Sequence, residues 1–140
     1  MRSGTQFLGN GPPPRMGQIE YRLARDSIVR EFRRGRLSRL DVCDGQSELM
    51  RVAKHLGRPV EDACPICEEQ SLVHVWFAFG PGLPASGRAL ETATETAKIC
   101  RRGTEVVCYV VEVCNGCRWN HLVRSFEAAA GTRRGAAGRR

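Results

Sequence analysis

Apolar positions recur at helical spacing early in the chain and at alternate positions later in it. Between Gln18 and Arg34, the side chains Tyr21, Ala24, Ile28 and Phe32 fall three or four apart, which predicts an amphipathic helix stopped by Gly35. A second helix is predicted from Gly45 to Leu56, capped by Asp44, with Leu49, Val52, Ala53 and Leu56 as its buried face and Gly57 then Pro59 as its end. From Leu72 to Phe79 the period becomes two. Val73, Val75, Phe77 and Phe79 share one face, and Leu72, His74, Trp76 and Ala78 the other, as in a strand. After Gly80-Pro81-Gly82 and a loop to about Gly87, Thr92-Ala93-Thr94-Glu95 reads as the capping box of a short helix ending at Gly103, with Ala93, Ala97 and Cys100 facing inward. Glu105 to Val113 is β-branched and aromatic, a second strand, and Trp119 to Phe126 is a third.

Length and composition set the frame for these elements. At 140 residues the chain is expected to form one domain, residues 18–127. Residues 1–17 form a flexible Gly/Pro-rich lead in which Met16 is a second candidate start, and the Ala/Gly/Arg tail, 128–140, is expected to be disordered. The longest apolar runs, Val75 to Phe79 and Val106 to Val111, fall far short of the roughly 18 residues a membrane helix needs. The first fifteen residues hold no continuous apolar core for export, so the seven cysteines are expected in a reducing cytoplasm, where close pairs are metal ligands more often than disulfides.

Two such pairs dominate the chemistry. Cys64-Pro65-Ile66-Cys67 and Cys114-Asn115-Gly116-Cys117 are each a CxxC, and four thiolates so arranged can close a tetrahedral shell around one Zn²⁺. A closed shell keeps no position for water or substrate, so the metal is predicted to be structural. With the pairs placed at strand ends, the pattern predicts an α+β fold: two N-terminal helices packed on a small antiparallel zinc-ribbon-like sheet with one inserted short helix. Zinc turns favour Gly after the second cysteine, where φ turns positive, yet Glu68 and Arg118 stand there. A CPxC is also a dithiol redox motif, but that role needs the first cysteine at a helix N-terminus, and a strand pattern follows here.

The other reactive side chains carry less. Cys43, Cys100 and Cys108 sit beside apolar residues and read as small buried hydrophobes, with a fifth or substitute ligand as the alternative. His55 suits a helix C-terminus, while His74 and His121 read as hydrogen-bonded structural residues on strands. Glu68 and Glu69 read as solvated. No nucleophile stands beside any histidine, so no catalytic residue is assigned and a nonenzymatic role is favoured.

Net charge is +7, and it gathers at the two ends around a nearly neutral middle. Arg22, Arg25, Arg30, Arg33, Arg34 and Arg36 lie on or just after the first predicted helix. They are candidates for phosphate contact with nucleic acid or for contact with a protein partner, and the competing reading is a solvated helix face.

The helix residues Tyr21 to Phe32, the segment Asp41-Val42-Cys43-Asp44, the Cys64–Cys67 pair, the strand Leu72 to Phe79 and the run from Val110 through Cys114-Asn115-Gly116-Cys117-Arg118-Trp119-Asn120-His121-Leu122 to Phe126 resemble a small actinobacterial family known as a domain of unknown function. The resemblance covers roughly residues 16–127, and that family tends to have Gly where Arg118 stands. It implies a cytosolic, zinc-ribbon-like bacterial protein from a GC-rich genome, which also accounts for 20 of the 22 basic residues being Arg. It implies no activity.

Two functions of different class follow. The first is a nonenzymatic zinc-binding module presenting a surface to a macromolecule, with transcription or translation machinery suggested by fold analogy alone. The second is a thiol-based redox or metal-responsive protein using the CxxC pairs.

Overall fold

The computed structural model describes residues 17–101 and 105–127. The predicted flexible lead and basic tail, apart from Gly17, lie outside them. In chain order the elements are β1 (Gly17–Glu20), α1 (Arg22–Arg33), α2 (Arg39–Val42), α3 (Ser47–Leu56), β2 (Arg58–Ala63), β3 (Ser71–Phe79), β4 (Arg88–Leu90), α4 (Ala93–Arg101), β5 (Val107–Val113) and β6 (Asn120–Glu127).

The sheet overturns the predicted architecture. It is not a small ribbon carrying two helices but a six-stranded antiparallel sheet in the order β1-β6-β5-β3-β2, with β4 also on β3. Three strands escape the pattern because they are short or polar. β1 is exposed along its length and takes residues 18–20 from the predicted helix, which begins only at Arg22. β2 reads Arg-Pro-Val-Glu-Asp-Ala without alternation, and it is an edge strand, where Pro and charges are tolerated because one side of the backbone has no neighbour. Its register with β3, Arg58↔His74 and Pro59↔Val73, slips before Ala63↔Ser71, so a bulge re-aims the chain just ahead of Cys64.

The chain divides into two compact units. One comprises Glu20–Trp76 and Val110–Arg124. Its core gathers Val29, Val42, Cys64, Ile66, Leu72, Cys114 and Trp119, flanked by the half-buried Ile28, Phe32, Leu37 and Val60. The face α1 buries is therefore shifted from the predicted stripe: Val29 is its buried residue, and Ala24 is exposed. α2 is a single turn, closed by a capping box between Ser38 and Asp41. In α3 Ala53 is buried and Leu49, Val52 and Leu56 half-buried, but Gln46 takes the N-cap position in place of Asp44, with no side-chain bond.

The other unit comprises Phe77–Tyr109 and the described chain ends, 17–19 and 125–127. Ala78, Leu90, Ile99, Val106, Cys108 and Phe126 are buried there, and the Phe79 and Tyr109 rings meet edge to face at 5.5 Å. A Cβ on Gly87, at φ +91, would lie 2.5 Å from the Phe79 ring, so the loop closes over that ring only with glycine. Thr92 caps α4 by accepting from the Glu95 amide, while Glu95 reaches back to the Glu91 amide. Thr96 and Ile99 form the buried side of α4; Ala97 is half-buried, and the predicted inward side chains of Ala93 and Cys100 lie outside the described set. Among the described residues, no helix is long and apolar enough to cross a membrane.

Candidate metal centre

The strand order brings the two cysteine pairs to one place. Cys64–Cys67 turns the chain from β2 into β3, and Cys114–Cys117 turns it from β5 into β6. Because β3 and β5 are antiparallel neighbours, the start of one lies beside the end of the other, and both turns leave the same end of the sheet.

The turns repeat one another closely. In the first, Cys64 N donates to Gln70 O at 2.8 Å and Glu68 N to Cys64 O at 3.0 Å; in the second, Cys114 N donates to Trp119 O at 2.9 Å and Arg118 N to Cys114 O at 3.1 Å. Amides point at sulfur in both, Ile66 N to Cys64 Sγ and Cys117 N to Cys114 Sγ, each at 3.4 Å. Glu68 and Arg118 hold φ of 60° and 77°, the left-handed conformation that such turns require, although neither is glycine.

All four sulfurs lie within 4.8 Å of one another, and this group could hold a metal ion. Cys64 Sγ is 3.6 Å from Cys117 Sγ, and Cys67 Sγ is 3.7 Å from Cys114 Sγ. A tetrahedron with metal–sulfur bonds of about 2.3 Å has edges of about 3.8 Å, so both contacts fit such a shell. Cys64 and Cys114 are buried, Cys67 and Cys117 half-buried.

Electrostatics separate the thiols. Burial pushes Cys64 and Cys117 each up to about 12, while amide donors, led by Glu69, bring Cys67 down to about 7. A cluster in which two thiols resist ionisation needs a cation to hold four thiolates together, and the bound cation would displace their protons.

A fifth sulfur, which spacing does not reveal, joins them. Cys43, at the end of α2, places its Sγ 3.5 Å from Cys117 Sγ. Its loop is tied to the second turn. Gly45 N donates to Arg118 O at 3.0 Å, Arg118 Nη1 donates to Gly45 O at 2.8 Å, and Asn120 Nδ2 donates to Asp44 Oδ1 at 3.0 Å. A Cβ on Gly45 would sit 3.0 Å from Arg118 O, which leaves little room for a larger residue in this approach. Asp44 thus braces the metal turn instead of capping a helix. Cys108 is fully buried in the other unit, as expected of a small hydrophobe, and Cys100 falls outside the described side chains.

Beside the second turn, buried Glu112 accepts from Trp119 Nε1 at 2.7 Å and from Arg25 Nε at 2.9 Å. Arg25 is half-buried and paired with both Glu112 and Asp26, and Arg22, though exposed, also lies 4.0 Å from Asp26. Arg22, Arg30, Arg33, Arg34 and Arg36 are exposed, with Arg34 and Arg36 near Glu31. His121 Nδ1 lies 2.8 Å from Leu122 O, with its ring stacked on Trp119, and His55 is exposed in the last turn of α3.

With this geometry in place, comparison of the sequence with known proteins places the chain. It belongs to the family of unknown function DUF5318, whose profile matches residues 14–140. The chain is similar to uncharacterized proteins of Mycobacterium tuberculosis and Mycobacterium bovis, at 39% identity over 112 residues, covering 80% of this chain and 82% of each relative. The resemblance read from the sequence is thus a membership, and it carries no activity with it. No solved structure matches the chain.

Proposed function

We propose that this DUF5318 protein is a nonenzymatic cytoplasmic module in which Cys64, Cys67, Cys114 and Cys117 hold one structural Zn²⁺. The observation that carries the reading is the closeness of the four sulfurs, with separations near the edge of a zinc–thiolate tetrahedron. All four ligand positions are filled by protein, so the metal stabilises the fold and has no site for substrate. Mass spectrometry of the native chain should find one zinc per molecule, and Cys114→Ser should lose both the metal and the cooperative fold. A metal-free native chain would refute the proposal.

The surface this scaffold presents is the arginine face of α1 and the turn after it. Arg30, Arg33, Arg34 and Arg36 are exposed, which supports contact with an acidic macromolecule, whether nucleic acid or a protein of the transcription or translation machinery. Nucleic-acid binding of this kind falls steeply with salt, and changing these four arginines to Gln should flatten that dependence.

The approach of Cys43 to Cys117 supports a second reading, a redox-responsive metal site. Peroxide would oxidise one thiol to a sulfenic acid with loss of water, the other thiol would displace a second water to form the disulfide, and the metal would lose a ligand. Peptide mapping after peroxide treatment should then find Cys43 joined to Cys117; a disulfide confined to one CxxC turn would count against it.

A further inference from the structure

Cys43 stands beside the four sulfurs that could hold the metal but is not one of them. Its thiol donates to Cys117 Sγ at 3.5 Å, close to the edge of about 3.8 Å that separates neighbouring ligands in a zinc–thiolate tetrahedron. Cys64 Sγ lies 3.6 Å from the same Cys117 Sγ, so Cys117 has one sulfur neighbour within the quartet and one outside it. Cys43, Cys67 and Cys117 are half-buried and pack on a core that contains Cys64 and Cys114. The fifth thiol therefore joins the cluster on its more accessible side, where a ligand can move without opening the core.

The main chain around Cys43 is held from both directions. Val42 is buried in that core, and Cys43 N donates to Arg39 O at 2.7 Å. On the other side, the Gly45 amide and carbonyl both bond to Arg118, the residue directly after Cys117, and Asp44 accepts from Asn120 Nδ2. With the backbone so fixed, the sulfur is repositioned by rotation about the Cα–Cβ bond, between staggered wells. A cysteine that only fills space is buried, as Cys108 is; Cys43 is half-buried and aimed at a ligand.

We propose that Cys43 is a substitute ligand that exchanges with Cys117, so that either sulfur completes the shell begun by Cys64, Cys67 and Cys114. The inference rests on the reading of the quartet as a zinc site. The step needs no oxidant or reductant. The Cys43 proton passes to Cys117 Sγ along the existing hydrogen bond, the Cys43 thiolate forms a bond to the metal, and the metal–Cys117 bond breaks to leave Cys117 as a thiol. Four thiolates surround the ion before and after, and the charge of the site is unchanged. Both cysteines stay reduced, which separates this exchange from the disulfide of the redox reading. Its consequence is that the shell can lose Cys117 to an electrophile and still hold the metal.

The test uses the full chain with excess reductant and reads bound zinc by native mass spectrometry. Cys43→Ala and Cys117→Ala should each keep one zinc per molecule, whereas Cys43→Ala/Cys117→Ala should lose it, as should Cys64→Ala, which has no spare partner. Limited alkylation of the zinc-loaded wild type should modify Cys43 in some molecules and Cys117 in others, never both, with zinc retained. This second measurement decides the matter even if Cys117→Ala fails to fold. A folded Cys117→Ala chain without zinc, a double variant that keeps zinc, or alkylation confined to Cys43 would each overturn the proposal while leaving the metal site standing. A wild-type chain without zinc would remove the proposal together with the reading beneath it.

Discussion

Glu68 and Arg118 sit at matching places in the two cysteine turns, and both hold a backbone conformation that disfavours any side chain. That conformation costs an L-residue about 1–2 kcal/mol, so Glu68→Gly should raise the stability of the metal-loaded protein by about 1 kcal/mol in urea unfolding. Arg118→Gly should gain less, since it also removes the bond to Gly45 O. His74 carries a prediction about pH. Its folded pKa, about 4, lies below the usual 6.5, so the folded state holds fewer protons between those values; stability is full above about 6.5 and is lost as pH falls toward 4. The loss is of order 3 kcal/mol, and it should be absent from the wild-type minus His74→Gln difference above pH 6.5 and present below. Thiolate protonation affects both proteins, so the difference isolates the histidine. The four paired cysteines are legible in the sequence because their spacing is local. Cys43 is not, because it meets Cys117 across 74 positions and only the fold brings them together.

Among the elements, α2 has an outsized role for one turn, because it ends at Cys43. Ser38 starts that turn by accepting from Asp41 N. Ser38→Ala should cost about 1 kcal/mol and speed alkylation of Cys43, measured by mass spectrometry of the intact protein. Legibility follows burial. β3, β5 and β6 can be read from their alternation or β-branched content because they lie inside the sheet, whereas β1, β2 and β4 are short or polar and offer no period to find. The predicted start of α1 falls too early for a related reason: no Gly or Pro separates Gln18, Ile19 and Glu20 from the helical stripe that begins at Tyr21, but their backbone lies in β1. The predicted small ribbon therefore misses strands, not the turns that hold the cysteines.

For the whole molecule, the metal would join two distant stretches of one unit, since Cys64 and Cys67 belong to Glu20–Trp76 while Cys114 and Cys117 belong to Val110–Arg124. Closing a long loop by a metal can contribute about 10 kcal/mol to folding, so chelation should raise amide exchange throughout both stretches together and not at the turns alone. Exchange confined to the turns would show that packing suffices without the ion. Trp119 is buried, hands its carbonyl to the Cys114 amide and its indole N–H to Glu112. An indole so attached to a ligand-bearing turn is a native fluorophore for occupancy: in a Trp76→Phe background, the colour of its emission should shift to the red as the ion is withdrawn, so that loading could be followed by light alone, without an added dye.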